Sequence, residues 1–165
     1  MADRSYNVLF LCTGNSARSI LAEAILNHRA HGRFSAFSAG SHPTGTVNPA
    51  ALALLENLQI PTQGLRSKTW EEFARPGTPE LDFIITVCDN AAGEVCPIWP
   101  GRPLTAHWGV ADPAHVEGEL ERKQAFREAF RVLERRIDLF LQIPIQSRDA
   151  PALAQQVRTI GRSTA

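Results

Sequence analysis

The sequence predicts a single α/β domain, a three-layer sandwich around a four-stranded parallel sheet. Three observations carry that expectation. Short, nearly continuous apolar runs at Val8 to Leu11 and Leu81 to Val87 read as strands covered on both faces. Helical patterns alternate with these runs, which favours parallel pairing through crossover helices. With 165 residues, 44% hydrophobic and 21% charged, the chain can close one sizeable core and is too apolar to be disordered. The catalytic domain is expected over residues 1–143, with 144–165 as a C-terminal tail.

Tyr6 to Leu11 forms the first expected strand, and the loop from Cys12 to Ala17 leads into a helix from Arg18 to about His31, with Gly32 as its stop. Phe34 to Ala39 reads as the second strand, followed by the turn Gly40-Ser41-His42-Pro43. Pro49 fits the first turn of a helix carrying Ala50, Leu52, Leu55 and Leu58 on its apolar side. Thr69, with Glu72 three residues on, has the pattern of a capping box opening Trp70 to Ala74. Leu81 to Val87 is the third strand; the loop Cys88 to Gly101 precedes a short fourth strand, Leu104 to His107. The clearest helix spans residues 119–141, where Phe126, Phe130, Leu133, Ile137 and Phe140 recur at helical spacing. Past Pro144 the chain is polar, with a weak helical pattern from Pro151 to Ile160.

Composition narrows the function classes. A formal net charge of zero removes the electrostatic case for nucleic acid or an anionic membrane as partner. No stretch approaches the length needed to span a bilayer, and the first apolar run is too short for a secretory signal, so a cytoplasmic location is the default expectation. Three cysteines in a reducing compartment suggest chemistry rather than a disulfide framework.

The chemistry concentrates between Cys12 and Ser19. A strand, a tight polar loop and a helix N-terminus create an anion site, because backbone N–H groups and the helix dipole converge there. Thr13, Gly14, Asn15, Ser16, Ala17, Arg18 and Ser19 are the expected oxyanion-binding residues, Arg18 adding a planar bidentate fork. Beside that positive potential the thiol of Cys12 is expected to have a lowered pKa and to act as a nucleophile. Strand ends in a parallel sheet share one edge, which brings Cys88 near Cys12. If the two touch, they can form a disulfide that Cys96 resolves by exchange; two inert buried thiols are the competing reading. Structural zinc is disfavoured, since Cys88, Cys96 and a distant His107 make a poor ligand set. Asp112, before Pro113, could protonate a departing oxygen as general acid, although the local pattern alone favours an ordinary turn initiator. His107 reads as a packing or hydrogen-bonding residue, and Trp99 and Trp108 as core or pocket lining.

Taken together, Cys12-Thr-Gly-Asn-Ser-Ala-Arg-Ser19, Phe37-Ser-Ala-Gly40, Cys88 with Cys96 before Pro97, and His107-Trp-Gly with Asp112-Pro-Ala114 resemble arsenate reductases built on the low-molecular-weight tyrosine phosphatase fold. The likeness covers roughly residues 6–141. It implies a flavodoxin-like sandwich and an enzyme that needs no metal or organic cofactor. By resemblance, Cys12 attacks arsenate held by Arg18 and the loop amides. Ser19 hydrogen-bonds the thiolate, Asn15 fixes the loop, and Asp112 protonates the departing oxygen. Cys88 then attacks Cys12, arsenite leaves, and Cys96 converts the Cys12–Cys88 disulfide to Cys88–Cys96. Implied partners are arsenate, phosphate or sulfate as competing oxyanions, and thioredoxin or glutaredoxin with glutathione as reductant.

Two departures from the family pattern stand out. Many relatives carry a further cysteine where this chain has Ala17. Some bind potassium beside the loop through Asn, Glu, Ser and Asp. Asn15, Glu23 and Ser38 match, but Arg66-Ser67-Lys68 supplies no aspartate, so the Lys68 ammonium is expected to replace the ion. The alternative function is a phosphatase acting on phosphotyrosine or small phosphate esters. Tyr6 is the only tyrosine, and Pro113 is followed by Ala114 rather than an aromatic residue, which counts against it. A non-catalytic redox sensor using only Cys88 and Cys96 is a third reading.

Overall fold

Strand β1 (Tyr6–Cys12) lies between β2 (Phe34–Gly40) and β3 (Phe83–Thr86), and β4 (Leu104–His107) adds to β3. All pairings are parallel, giving the order β2-β1-β3-β4 in the computed structural model, which describes residues 5–88, 103–145 and 149–162. Val8, Leu9, Phe10 and Leu11 are fully buried because both faces of β1 are covered. Successive side chains alternate between faces, so Val8 and Phe10 join the larger core while Leu9 and Leu11 join the smaller one.

Helices assemble the larger core. Helix α1 (Arg18–Arg29) buries Ile20, Leu21, Ala24 and Ile25, and ends two residues before the expected His31. There His31 and Gly32 adopt positive φ, 49° and 84°, and turn the chain into β2. Helix α2 (Pro49–Asn57) starts at Asn48, whose side chain accepts the Ala50 N–H, and buries Ala51 and Leu55. Leu58, expected on its apolar side, is exposed because the helix has already ended and Gln59 turns at φ 59°. Helix α4 (Glu119–Leu141) buries Phe126, Phe130, Leu133, Ile137 and Phe140, as its periodicity predicts. The smaller core holds Trp70, Leu81 and Phe73, the last on α3 (Glu71–Ala74). Its expected capping box does not form. Glu72 pairs instead with Arg66, at 2.6 and 3.1 Å, and the Thr69 hydroxyl accepts from Glu71 N–H. A bidentate guanidinium outcompetes a neutral backbone donor for a carboxylate.

Both sheet margins are occupied. On β2, the Asn27 side-chain amide accepts the Ala36 N–H at 2.8 Å and donates to the Ala36 carbonyl at 3.1 Å, copying a strand's pairing. At the end of β2, Gly40 N–H donates to Lys68 O, and its carbonyl accepts from Trp70 N–H. On the far side, helix α5 (Ala150–Ile160), capped by Asp149, packs against β4. Its Val157 carbonyl accepts from Trp108 Nε1 at 2.8 Å, Arg158 Nε donates to Thr105 O at 3.0 Å, and Val157 and Ile160 enter the main core. Among the described residues no helix is long and apolar enough to cross a membrane.

Gly161 sets how closely α5 approaches, since a Cβ there would lie 2.0 Å from the His107 carbonyl oxygen. Gly161→Ala is expected to destabilise the protein by about 1–3 kcal/mol, the usual cost of overpacking, as read by urea denaturation.

Candidate active site

The loop Cys12–Ala17 turns its amides inward because its carbonyls are held outward. Thr13 O accepts from His42 N–H, Gly14 O from Thr44 N–H and Ser16 O from Asn48 N–H, at 2.9–3.0 Å. In a trans peptide the N–H of the next residue points opposite to the carbonyl, so the amides of Gly14, Asn15 and Ala17 face the loop's interior. Thr13 N–H points there too and donates to Cys88 Sγ at 3.2 Å. No side chain caps α1, which leaves its N-terminal donors to the same space. A tetrahedral oxyanion suits this cradle.

Cys12 and Cys88 are both buried free thiols, at the ends of β1 and just beyond β3, and they are hydrogen-bonded to each other. The expectation of a lowered Cys12 pKa does not hold for this arrangement. The Cys88 hydrogen bond and burial push the thiol up, against the pull of Arg18 and the Thr13 N–H. Arg18 Nη1 donates to Val110 O at 2.9 Å, and its Nη2 lies 3.5 Å from Asp112 Oδ2. Asp112 is thereby brought beside the guanidinium that opens α1, next to the loop. Its other oxygen accepts from Ala114 N–H at 2.9 Å, so the turn reading of Asp-Pro is met by the same residue. His115 Nε2 stands 3.3 Å from Oδ2.

A buried polar shelf supports the loop from behind. Asn15, fully buried at φ 47°, donates from Nδ2 to Ser19 Oγ at 2.9 Å and accepts Lys68 N–H at 2.9 Å. Beyond it, Ser38 Oγ donates to Glu23 Oε1 at 2.5 Å, and Lys68 Nζ lies 3.8 Å from that oxygen while donating to Arg66 O at 2.9 Å. Burial pushes the Glu23 carboxyl up and the Lys68 ammonium down, each opposed by the other's charge.

The structure thus gathers Cys12, Thr13, Gly14, Asn15, Ser16, Ala17, Arg18, Ser19, Cys88 and Asp112 at one sheet edge. Cys96 and Trp99 lie outside the described residues. Trp108 is core, and His107 Nδ1 pairs with Thr86 Oγ1 at 2.7 Å. Sequence reasoning missed Ser67, which accepts from Gly45 N–H and donates to Gly14 O. It also took Gly40 for a turn residue. A Cβ there would meet Thr13 O at 2.4 Å and Cys12 O at 2.8 Å, so only glycine lets the loop lie against β2.

Residues 7–151 match the sequence profile of the low-molecular-weight phosphotyrosine protein phosphatases. An arsenate reductase of Halalkalibacterium halodurans is 35% identical over 136 residues, covering 82% of this chain and 94% of that one. A solved arsenate reductase of Archaeoglobus fulgidus superposes with a TM-score of 0.59 at 26% identity, over 79% of this chain and 98% of that one. A thioredoxin-dependent arsenate reductase of Corynebacterium glutamicum superposes with a TM-score of 0.56 at 27% identity, over 84% and 65% respectively.

A raised pKa keeps the Cys12 thiol protonated at neutral pH, so its reactivity climbs only as pH rises. Cys88→Ala removes the largest raising influence. Alkylation of Cys12 by iodoacetamide, followed by peptide mass spectrometry, is expected to speed up at neutral pH and shift its profile to lower pH. An unchanged profile would exclude Cys88 as the cause.

Proposed function

The chain belongs to the low-molecular-weight phosphotyrosine protein phosphatase family, and on that premise we propose that it is an arsenate reductase. The observation that carries this reading is the second thiol. Cys88 touches both Cys12 and the Thr13 N–H of the anion loop. Hydrolysis of a phosphoryl-enzyme requires a water and an acid or base but no second sulfur; reduction of an arsenic adduct by thiols does require one. The arsenate reductases named above, at 26–35% identity, support the same choice.

The proposed cycle begins with an arsenate ion entering the loop and competing with Asp112 for Arg18. The Cys12 thiol passes its proton to the Asp112 carboxylate, its sulfur bonds to pentavalent arsenic, and an arsenate hydroxyl leaves as water carrying that proton. Cys88 then attacks Cys12 Sγ. A sulfur–sulfur bond forms, the sulfur–arsenic pair passes to arsenic, and trivalent arsenite departs. Cys96 attacks Cys88, releasing the Cys12 thiolate and leaving a Cys88–Cys96 disulfide. External thiols reduce that bond, from thioredoxin or from glutathione with glutaredoxin; the thioredoxin-dependent Corynebacterium relative supports the first. Phosphate and sulfate, sharing tetrahedral shape and charge, would compete at the loop.

Single turnover tests this proposal. Fully reduced protein given arsenate without external reductant is expected to yield one arsenite per chain and a Cys88–Cys96 bridge. Intact thiols and no arsenite, in protein that cleaves an aryl phosphate, would make it a phosphatase. Asp112→Asn is expected to slow arsenite formation ~10²- to 10⁴-fold, the range for a lost general acid.

Lys68 is the proposed substitute for the potassium ion of some relatives. Its ammonium already stands 3.8 Å from Glu23 in the shelf behind Asn15. Steady-state rates should therefore be equal in potassium and sodium chloride at matched ionic strength; specific activation by potassium would refute the substitution.

A further inference from the structure

Two consecutive carbonyls in the loop that carries Asp112 are held by guanidiniums from different elements. Arg18, opening α1, donates to Val110 O; Arg136, on α4, donates through Nη1 to Gly109 O at 2.9 Å. Backbone bonds fix the root of this loop to the end of β3, Trp108 N–H to Thr86 O at 2.7 Å and Val110 N–H to Val87 O at 3.0 Å. Between those bonds lies Gly109, which has no side chain by which packing could steer it. Behind the loop, toward α4, is a cavity of about 440 Å³ whose lining includes Pro113, Val116, Ala125, Ala129 and Val132. Contact alone does not fill the space between α4 and the loop, and the Arg136 side chain crosses it.

Arg136 is costly where it stands. It is 7% exposed, on a helix face otherwise made of Phe126, Ala129, Phe130, Leu133, Ile137 and Phe140. Burial pulls its guanidinium below the usual arginine range. Leucine or methionine would serve helix packing without desolvating a charge. What arginine adds is reach and a charged donor aimed at a backbone carbonyl.

We propose that Arg136 is a positioning residue for the reaction: by holding the Gly109 carbonyl it sets the loop so that the Asp112 carboxyl overhangs the oxyanion cradle. Arg18, which also holds the loop, is the side chain that an oxyanion in the cradle draws on. Arg136 reaches the loop from α4, so its bond to Gly109 O does not draw on the anion-binding side chain. The inference rests on the reading of Asp112 as the acid given above.

The test uses the full chain with Arg136→Leu and Arg136→Lys. In Arg136→Leu, amide hydrogen exchange should accelerate at Val110 and Ala114 and stay unchanged along α4 and the sheet. Single-turnover arsenite formation should fall ~10- to 100-fold, the scale of a misplaced catalytic group. Calorimetric affinity for inorganic phosphate should remain the same. In an Asp112→Asn background the same substitution should cost no further rate, and Arg136→Lys should recover part of it. Unchanged loop exchange, or an equal rate loss in the Asp112→Asn background, would overturn the proposal. Should the wild type form no arsenite, the function assigned above fails, and loop exchange alone decides the role of Arg136. Should Arg136→Leu not fold, Arg136→Lys carries both readouts: faster exchange at Val110 and Ala114 together with a partial rate loss supports the donor role, and rate loss without faster loop exchange, or no change in either, contradicts it.

Discussion

A single buried amide organises the site. Asn15 sits in a left-handed backbone conformation that asparagine tolerates better than other side chains. Its Nδ2 reaches forward to Ser19 in α1 and its Oδ1 back to the Lys68 backbone. Both bonds lie out of water, and leaving either group unsatisfied would cost about 1–3 kcal/mol, more than the ordinary gain from making one. The loop is therefore held in the shape that points its amides at an anion before any anion arrives. Gly40 and Ser67 serve the same constraint, one by leaving space and the other by engaging the Gly14 carbonyl. Preformed donors spend little reorganisation when charge appears among them.

Charge in the resting site is balanced internally. Arg18 faces Asp112, and Lys68 faces Glu23 behind the loop. The Cys12 thiol, beside Cys88, is pushed towards its protonated form by that neighbour and by burial. An arriving oxyanion offers Arg18 a second partner. Cys12, Asp112 and Arg18 are thus linked, and a change at one alters the electrostatics of the others. Removing one partner of the buried Lys68–Glu23 pair would leave an uncompensated charge, a larger effect than the pair's own worth.

Much of this was legible in the chain because the signals are local. Apolar runs of strand length identify β1 and β3, heptad-like recurrence identifies α4, and the Cys12-to-Ser19 spacing identifies an anion loop. The unread parts depend on residues brought together from afar. Gly40 approaches the loop across the sheet, Ser67 reaches Gly14 from fifty-three positions away, and Arg136 meets Gly109 from α4. The Cys12 ionisation went the other way for the same reason: helix dipole and Arg18 can be inferred from neighbours in sequence, but the contact with Cys88 is tertiary. The Thr69–Glu72 pattern was local too, yet Arg66 captured the carboxylate.

The side-chain amide of Asn27 has a consequence beyond the site. An uncovered outer strand is a template on which another chain can add strands and seed fibres. On β2, the outward-facing backbone groups of Ala36 are taken by Asn27 and those of Gly40 by Lys68 and Trp70. Across the sheet, α5 lies along β4. An intruding strand would have to displace these partners at each margin before it could pair. A residue remote from the anion loop thus covers part of the margin of a sheet whose interior is rich in phenylalanine and isoleucine.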